Sequence, residues 1–445
     1  MMSRAARGAW TNWAGDETFT PARMPRPRSA AEVAEATRRA AEAGQTVRVA
    51  GAGHSFGDLV RTDGVLLGLD RMSGLRHVDA DEGLVDVGAG TTLADLNLQL
   101  AQHGLALPNL GDIDRQSVAG ALSTATHGTG RALGNLSACV QALDLVLADG
   151  TTLRCTDEDP ETLRAARVSL GALGVITSCT LRVVPAFALR AEAGPMPLAE
   201  VLARLDELVD GNDHFEFFVF PHAGAALVKT NNRTGEPLRP PHRLAQVATG
   251  FVENGVLAAA CRAGRRFPSL IPRLNRALTR LITPSAYVDL SHRVFASRRS
   301  VRFTEMEWAL PRAACAPALQ EILRVVDRDR LAVGFPVEVR FAAPDELSHL
   351  SPAYGRETAY LAVHMYRGMA WEPYFRAVQD VALAHEGRPH WGKRHLMEAA
   401  GLAARYPAWE RFQAVRARLD PEGVFTNGHV RRVLGPVRHD LTPGR

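Results

Sequence analysis

The sequence predicts an α+β protein in two parts, and three observations carry that prediction. Helix and strand signals alternate from residue 27 to about 185 with local hairpins, instead of a clean run of βαβ units. The texture then changes to proline clusters (Pro237, Pro240, Pro241) and long loops between apolar strands. At 445 residues, the chain also exceeds one ordinary core. The expected division is a first part over residues 1–185, an inserted part over 186–395 and a C-terminal segment, 396–445, that returns to the first.

The elements justify themselves in order. Ser29-Ala30-Ala31-Glu32 reads as a capping box opening a helix that Gly44 ends. A strand at 47–50 follows, and the apolar run before Leu69 predicts another. Residues 83–88 read as a strand. Thr92 opens a helix whose Leu96, Leu100 and Ala101 share a face as far as Gly104. Residues 142–147 and 151–155 flank Asp149-Gly150, a hairpin turn. A helix over 161–170 and a strand over 175–184 close the first part. In the second, 215–220, 337–341 and 360–366 read as strands. A last helix spans 409–419, before a turn at 420–427 and a final apolar segment.

Composition narrows the class. Hydrophobic residues at 46% and charged residues at 22% are ordinary for a globular protein. No window reaches the roughly 18 uninterrupted apolar residues of a spanning helix, and residues 1–13 lack the apolar core of a secretory signal, so the expected location is the cytoplasm. Five cysteines, odd in number and without Cys-x-x-Cys spacing, argue against a disulfide framework and a structural zinc site. Of 52 Lys and Arg residues only Lys229 and Lys393 are lysines. The net charge of +4 therefore reads as a coding habit and not as a nucleic-acid footprint. Arginines crowd the stretch from Arg262 to Arg302 (Arg265, Arg266, Arg273, Arg276, Arg280, Arg293, Arg298, Arg299), interleaved with Leu270, Ile271, Leu274, Leu278 and Ile282. Peripheral contact with an anionic membrane is one reading, and a solvated helix face is the one adopted.

Three constellations carry chemistry. Val47-Arg48-Val49-Ala50 runs straight into Gly51-Ala52-Gly53-His54-Ser55-Phe56-Gly57, a loop whose glycines let backbone N–H groups approach a phosphate-bearing cofactor. It fails the nicotinamide fingerprint, because the third glycine and the following long helix are missing. The second is Asn109-Leu110-Gly111-Asp112, continuing through Ser117-Val118-Ala119-Gly120 to Ala125-Thr126-His127-Gly128-Thr129-Gly130. Small side chains and hydroxyls at this density suit backbone packed against a flat ring. The third begins with Glu338-Val339-Arg340, where a carboxylate and a guanidinium two apart on a strand share a face and can frame a small polar ligand together. Ser351-Pro352-Ala353-Tyr354-Gly355-Arg356, His364 and His390-Trp391-Gly392-Lys393 follow. A lysine surviving in an arginine-saturated chain suggests a specific task.

The order Gly-x-Gly-His-Ser, Thr-His-Gly-Thr-Gly, residues 165–175, Glu-Val-Arg, His-Met-Tyr-Arg, Arg-Pro-His-Trp-Gly-Lys and Leu-Asp-Pro resembles, over nearly the whole chain, the sugar-1,4-lactone oxidases of the vanillyl-alcohol oxidase superfamily. These include the L-gulonolactone and D-arabinonolactone enzymes and the similar alditol oxidases. The resemblance implies a two-domain FAD-binding fold with an inserted substrate (cap) domain, and oxidation of a hydroxyl on a polyhydroxylated small molecule by hydride transfer to FAD. It makes O2 the expected acceptor and hydrogen peroxide the product. Covalent attachment through His54 is implied. A second link is not, since residues 114–117 hold no cysteine.

By the same resemblance the FAD contacts are Val49, Ala50, Gly51, Ala52, Gly53, His54, Ser55 and Phe56, then Gly111, Ser117, Gly120, Ala121, Ser123, Thr124, His127 and Gly128, with Gly174 and Ile176 at the adenine end and Lys393 beside the reacting oxygen. Asp112, Glu338, Arg340 and Tyr366 are the expected substrate contacts, and no metal is expected. Asp112 stands where alditol oxidases tend to carry serine, and Tyr366 where they carry threonine; the tyrosine is shared with the lactone oxidases. Glycine at 111, where a methyl would obstruct oxygen, implies an oxidase. Hydride loss from a carbinol requires the hydroxyl proton to leave in step. Arg340 and Lys393 are therefore expected to stabilise the developing alkoxide, Glu338 to orient hydroxyls and His364 to act as base. An alditol oxidase, a dehydrogenase with another acceptor and a non-catalytic flavin-binding or membrane-associated protein are the competing readings.

Overall fold

The computed structural model describes residues 8–241, 255–297 and 300–441. Arg298 and Arg299 of the arginine-rich stretch lie outside the described residues, as do residues 1–7 of the opening segment. The expected α+β texture is found, organised around two large antiparallel sheets.

The first part is built as its local signals predict. Ser29 caps the helix Ala30–Glu42 by accepting from Glu32 N–H, and Glu32 reaches back one residue further than the capping-box pattern implies, to Arg28 N–H. Gly44 ends it at φ +63°. The strand Val47–Ala50 pairs in parallel with Val65–Gly68. Five antiparallel strands follow in the spatial order Leu75–Asp79, Leu84–Gly88, Val175–Arg182, Val140–Val146 and Thr152–Cys155. Between the last two, Asp149-Gly150 makes the predicted turn, Gly150 at φ +86°. Two boundaries move. The helix expected over 161–170 stops at Pro160–Arg167, because Val168 is extended and Leu170 and Gly171 take positive φ. The strand expected over 175–184 ends at Arg182.

The second sheet has eight antiparallel strands, in the order Ser285–Leu290, Ala188–Pro197, Ala225–Thr234, His214–Val219, Val337–Ala342, Thr358–Tyr366, Phe303–Pro311 and Arg388–Pro389. Its two faces differ. Phe217, Val339, Leu361 and Trp308 join one core with Ile322 of the helix Cys315–Arg328 and Phe375 of the helix Glu372–Ala384. The opposite face of the same strands carries Glu216, Glu338, Arg340, His364, Glu305 and Glu307, and the first part reaches it through His127 and Asp112. The arginine-rich stretch forms two helices, Leu257–Arg266 and Ile271–Arg280. They bury Cys261, Gly264, Ile271, Asn275 and Thr279 and expose Arg262, Arg266, Arg273, Arg276 and Arg280, a solvated face. None of the described helices is long and apolar enough to cross a membrane. All five cysteines are unpaired, four of them buried.

One buried cation joins the chain's end to its beginning. Arg48, 3% exposed, donates to the carbonyls of Leu59, Leu170, Gly171 and Phe425 at 2.7–3.1 Å. Val47 N–H donates to the Val424 carbonyl beside it. After the predicted helix Trp409–Leu419, the segment 420–427 thus closes over the strand that feeds the glycine-rich loop, and the last apolar segment is the helix Gly428–Leu434. Burial lowers Arg48 to about 10, which leaves it charged at neutral pH. Arg48→Met would strand the carbonyls of Leu170, Gly171 and Phe425, while Asn427 Nδ2 still donates to that of Leu59. It is expected to cost about 3 kcal/mol or more, read as a lowered Tm.

Candidate active site

The glycine-rich loop leaves the strand Val47–Ala50, with Gly53 at φ +74°. Gly51 admits no side chain, since a Cβ there would lie 2.3 Å from Ser117 Oγ. That hydroxyl caps the helix Val118–Ser123 by accepting from Gly120 N–H. The first two constellations therefore touch. His54 lies against Trp13, ring centroids 5.5 Å apart, and its Nδ1 is buried without a partner among the described residues. Burial pushes the His54 ring down to about 4, with Lys393 and Arg115 adding to the effect. A neutral imidazole with an unsatisfied buried nitrogen fits a residue completed by a bound group.

The third constellation joins the same place. Phe56 N–H donates to the Gly392 carbonyl at 3.0 Å, and Lys393 Nζ sits 5.0 Å from the Phe56 ring. The second constellation lies along the ionisable face of the eight-stranded sheet. Gly130 N–H donates to the Phe341 carbonyl, His127 Nε2 meets Glu307 at 3.0 Å and the His127 ring stacks on Tyr360 at 3.6 Å. Gly128 is required there, since a Cβ would fall 2.2 Å from the Leu110 carbonyl oxygen.

The register of the sheet explains its charged face. Residues directly opposite in antiparallel strands share a face. The pairs are Lys229 with Glu216, Glu216 with Arg340, Arg340 with Tyr360, and His364 with Glu305. Glu338 and Arg340 share that face, as their spacing predicts, but they do not simply frame a space between them. Arg340 is held by three carboxylates: Glu216 at 2.9 Å, Asp112 at 2.5 Å and Glu338. Burial opposes its charge, yet Asp112, Glu338, Glu216 and Glu307 outweigh burial and raise Arg340 well above the usual guanidinium value.

His364 lies between Glu305 at 3.7 Å and Glu338 at 3.9 Å. Its Nδ1 is 3.2 Å from the Pro336 carbonyl, which can only accept, so the neutral ring carries its lone pair on Nε2, toward the carboxylates. Lys393 Nζ pairs with Glu305 at 2.5 Å. Tyr366, two residues on from His364, lies against Phe335 and under the Arg265 guanidinium. Ile176 belongs to the five-stranded sheet, where it pairs with Leu145, and Gly174 directly precedes that strand.

Among the described residues, two clusters, one of them with two histidines, have the spacing of metal ligands. In the first, His127–Glu307–His390, His390 Nδ1 accepts from Gly392 N–H, so its Nε2 bears a proton and cannot ligate. Burial pushes His390 down to about 3. Glu307 is held ionised, against burial, by His127, His390 and Lys393. The second, Asp112–Glu216–Glu338, closes around Arg340.

Sequence reasoning missed Trp13, Glu216, Lys229, Glu305, Glu307 and Tyr360. A signal existed for Glu305 and Glu307, two carboxylates two apart inside an apolar strand that carries Met306 and Trp308 on its other face. Glu216 between Phe215 and Phe217 is the same signal in weaker form.

Comparison with known proteins shows the family and the fold. A family described as D-arabinono-1,4-lactone oxidase matches residues 179–433, and one described as FAD binding domain matches residues 21–156. The chain is 50% identical to L-gulono-1,4-lactone dehydrogenase of Mycobacterium tuberculosis, covering 96% of this chain and 99% of that protein. It is 33% identical to L-gulonolactone oxidase of Mus musculus, covering 95% and 97%. The crystal structure of cholesterol oxidase from B. sterolicum superposes with a TM-score of 0.81 at 20% identity, covering 96% and 97%, which establishes the fold alone.

Removing the central cation should show how much these acids depend on it. Arg340→Met leaves three buried carboxylates facing one another, and their proton affinity rises above that of the unfolded chain. The variant should lose about 3 kcal/mol near neutral pH and regain part of it toward about pH 5, as the folded state binds protons that the unfolded state does not. The wild type should behave oppositely. His390, pushed to about 3, and His349, pushed to about 4, stay neutral in the folded state while unfolded imidazoles protonate near 6.5, so acidification through that window destabilises. Thermal melts of both proteins across this range give the comparison.

Proposed function

The chain belongs to the D-arabinono-1,4-lactone oxidase family and is an FAD-dependent oxidoreductase, and from that premise we propose that it oxidises a carbinol hydroxyl of a sugar-1,4-lactone of the L-gulono or D-arabinono type, with O2 as acceptor. The observation that carries the reading is the meeting, at Lys393, of the His54 loop with a buried face of ionisable side chains. In this reading residues 1–185 and 396–445 form the FAD-binding domain and 186–395 the substrate domain.

FAD, which the loop of Gly51, Gly53 and His54 with Ser117 would hold, would supply a two-electron acceptor for the hydride of the carbinol carbon. The chain's own residues do the rest. Gly51, Gly53 and Ser117 bring backbone close to the cofactor, and His54 Nδ1 supplies the attachment point. Arg340 and Lys393 stabilise negative charge on the substrate oxygen as its proton leaves. His364 Nε2 takes that proton, and the resulting imidazolium lies between Glu305 and Glu338, which favour it. Glu338 and Asp112 accept hydrogen bonds from neighbouring hydroxyls, which selects a polyol-like ring over an apolar carbinol. O2 as acceptor rests on Gly111. A methyl there would press on the His127 carbonyl, 3.0 Å from the Cβ position, and narrow that wall of the site. A second reading, dehydrogenase with a quinone or cytochrome acceptor, is favoured by the name of the 50% identical relative.

Attachment is tested by mass spectrometry of the denatured protein. The His54 peptide should carry FAD, and His54→Ala should still bind FAD but turn over slowly. An unmodified His54 peptide in a fully yellow sample overturns the covalent link.

The reaction is tested by anaerobic mixing with sugar-1,4-lactones and alditols, followed by stopped-flow reoxidation. Lactones should bleach the flavin faster than alditols, and O2 should restore it with release of hydrogen peroxide. Gly111→Ala should slow reoxidation more than reduction. Bleaching by no lactone would refute the substrate reading. Sluggish wild-type reoxidation by O2 beside rapid reoxidation by a quinone would establish the dehydrogenase.

A further inference from the structure

The charged face is an ordered series of ionisable groups that crosses the sheet. Lys229 Nζ lies 3.4 Å from Glu216 Oε1, and Glu216 Oε2 accepts from Arg340 Nε at 2.9 Å. Arg340 Nη2 pairs with Glu338, which faces His364; His364 faces Glu305 Oε1, and Glu305 Oε2 pairs with Lys393. The chain's only two lysines therefore stand at the two ends of one series, each on one oxygen of a buried glutamate whose other oxygen faces an inner group. Lys393 touches the His54 loop. Lys229 is on the strand Ala225–Thr234, two strands from Arg340, and its ammonium lies 4.7 Å from the Phe218 ring.

An arginine among three carboxylates has more than one way to sit. Its two edges offer Nε with one terminal nitrogen, or both terminal nitrogens, and a carboxylate free to use both oxygens grips an edge in bidentate fashion. Glu216 would do so if nothing held Oε1, and would draw the guanidinium toward its own strand and away from Asp112 and Glu338. Lys229 occupies Oε1. Glu216 is left with one oxygen for Nε, and Nη2 stays turned toward Asp112 and Glu338.

We propose that Lys229 is a positioning residue for the reaction, acting through Glu216 to set the orientation of Arg340 and hence the affinity of the site for its hydroxylated substrate. The proposal rests on the functional reading above. Lys229 is partly exposed and stands outside the groups that touch substrate, so its loss should register on binding before it registers on the chemical step.

The test compares Lys229→Met, Lys229→Arg and Glu216→Gln in the flavin-loaded enzyme, using whichever lactone or alditol bleaches the wild-type flavin. Failure of every lactone would then refute the lactone reading while leaving this comparison intact. Lys229→Met is expected to raise KM on the order of 10-fold with kcat within about 3-fold of wild type, and Lys229→Arg to restore most of the loss. The acid limb of kcat/KM should move to higher pH in Lys229→Met, because Glu338 loses part of its hold on Arg340 and binds a proton more readily. Glu216→Gln, which keeps the shape and removes the charge, should raise KM in the same way even if Lys229→Met does not accumulate. Unchanged KM and pH profile in the Met or Gln variant overturns the proposal. So does a Lys229→Arg variant as impaired as Lys229→Met, with both lowered in Tm, which would assign the residue to folding.

Discussion

The buried charge of Arg340 is the constraint on which the site depends. Taking a guanidinium out of water costs several kcal/mol, and the cost is offset only where acids meet it with good geometry. Three do, and they come from three places in the chain: Asp112 from the loop of the first part, Glu216 from the neighbouring strand and Glu338 from its own. Each acid is itself buried or partly buried and needs a cation or donor. That requirement propagates outward to Lys229 on one side and through His364 and Glu305 to Lys393 on the other. The result is a polar layer inside the protein that holds both signs of charge in fixed places, which is what a reaction moving a hydride one way and a proton another requires.

The same logic explains why the sheet can present such a layer. Period-2 alternation lets one strand serve two masters: Met306 and Trp308 enter the core beneath the helices, while Glu305 and Glu307 face the site. Helices Cys315–Arg328 and Glu372–Ala384 bury the apolar face. The first part of the chain, through His127, Gly130 and Asp112, buries the charged one. Neither layer is stable in water alone. The charged face is completed by the loops that carry the cofactor signals, so loop position and charge arrangement are set together.

Arg48 plays the corresponding part for the cofactor strand. It satisfies four carbonyls from three separate stretches, and so ties the loop after Val47–Ala50 to the turn at 170–171 and to the returning C-terminal segment. A lysine in its place, with one nitrogen on a flexible stem, could not reach four acceptors in different directions. The terminal segment is therefore tied to that strand by hydrogen bonds, 377 residues apart in the case of Phe425.

Much of this was legible in the residue order. Local chemistry announces itself locally: Ser29 and Thr92 as caps, Asp149-Gly150 as a hairpin, the Gly51–Gly57 loop as a place where backbone must approach something closely, and Glu338 with Arg340 as neighbours on one face. These depend on a few consecutive residues, and sequence alone determined them. What it could not determine is partnership across the chain. Nothing near Glu216 says that Arg340 lies opposite, 124 positions later, or that Lys229 takes its other oxygen; strand order and register decide that, and they follow from how the whole apolar pattern packs. That Asp112 and Glu216 join Glu338 on the Arg340 guanidinium was hidden for the same reason. A buried charge recruits whatever opposite charges the fold brings within reach, and that set exists only in three dimensions.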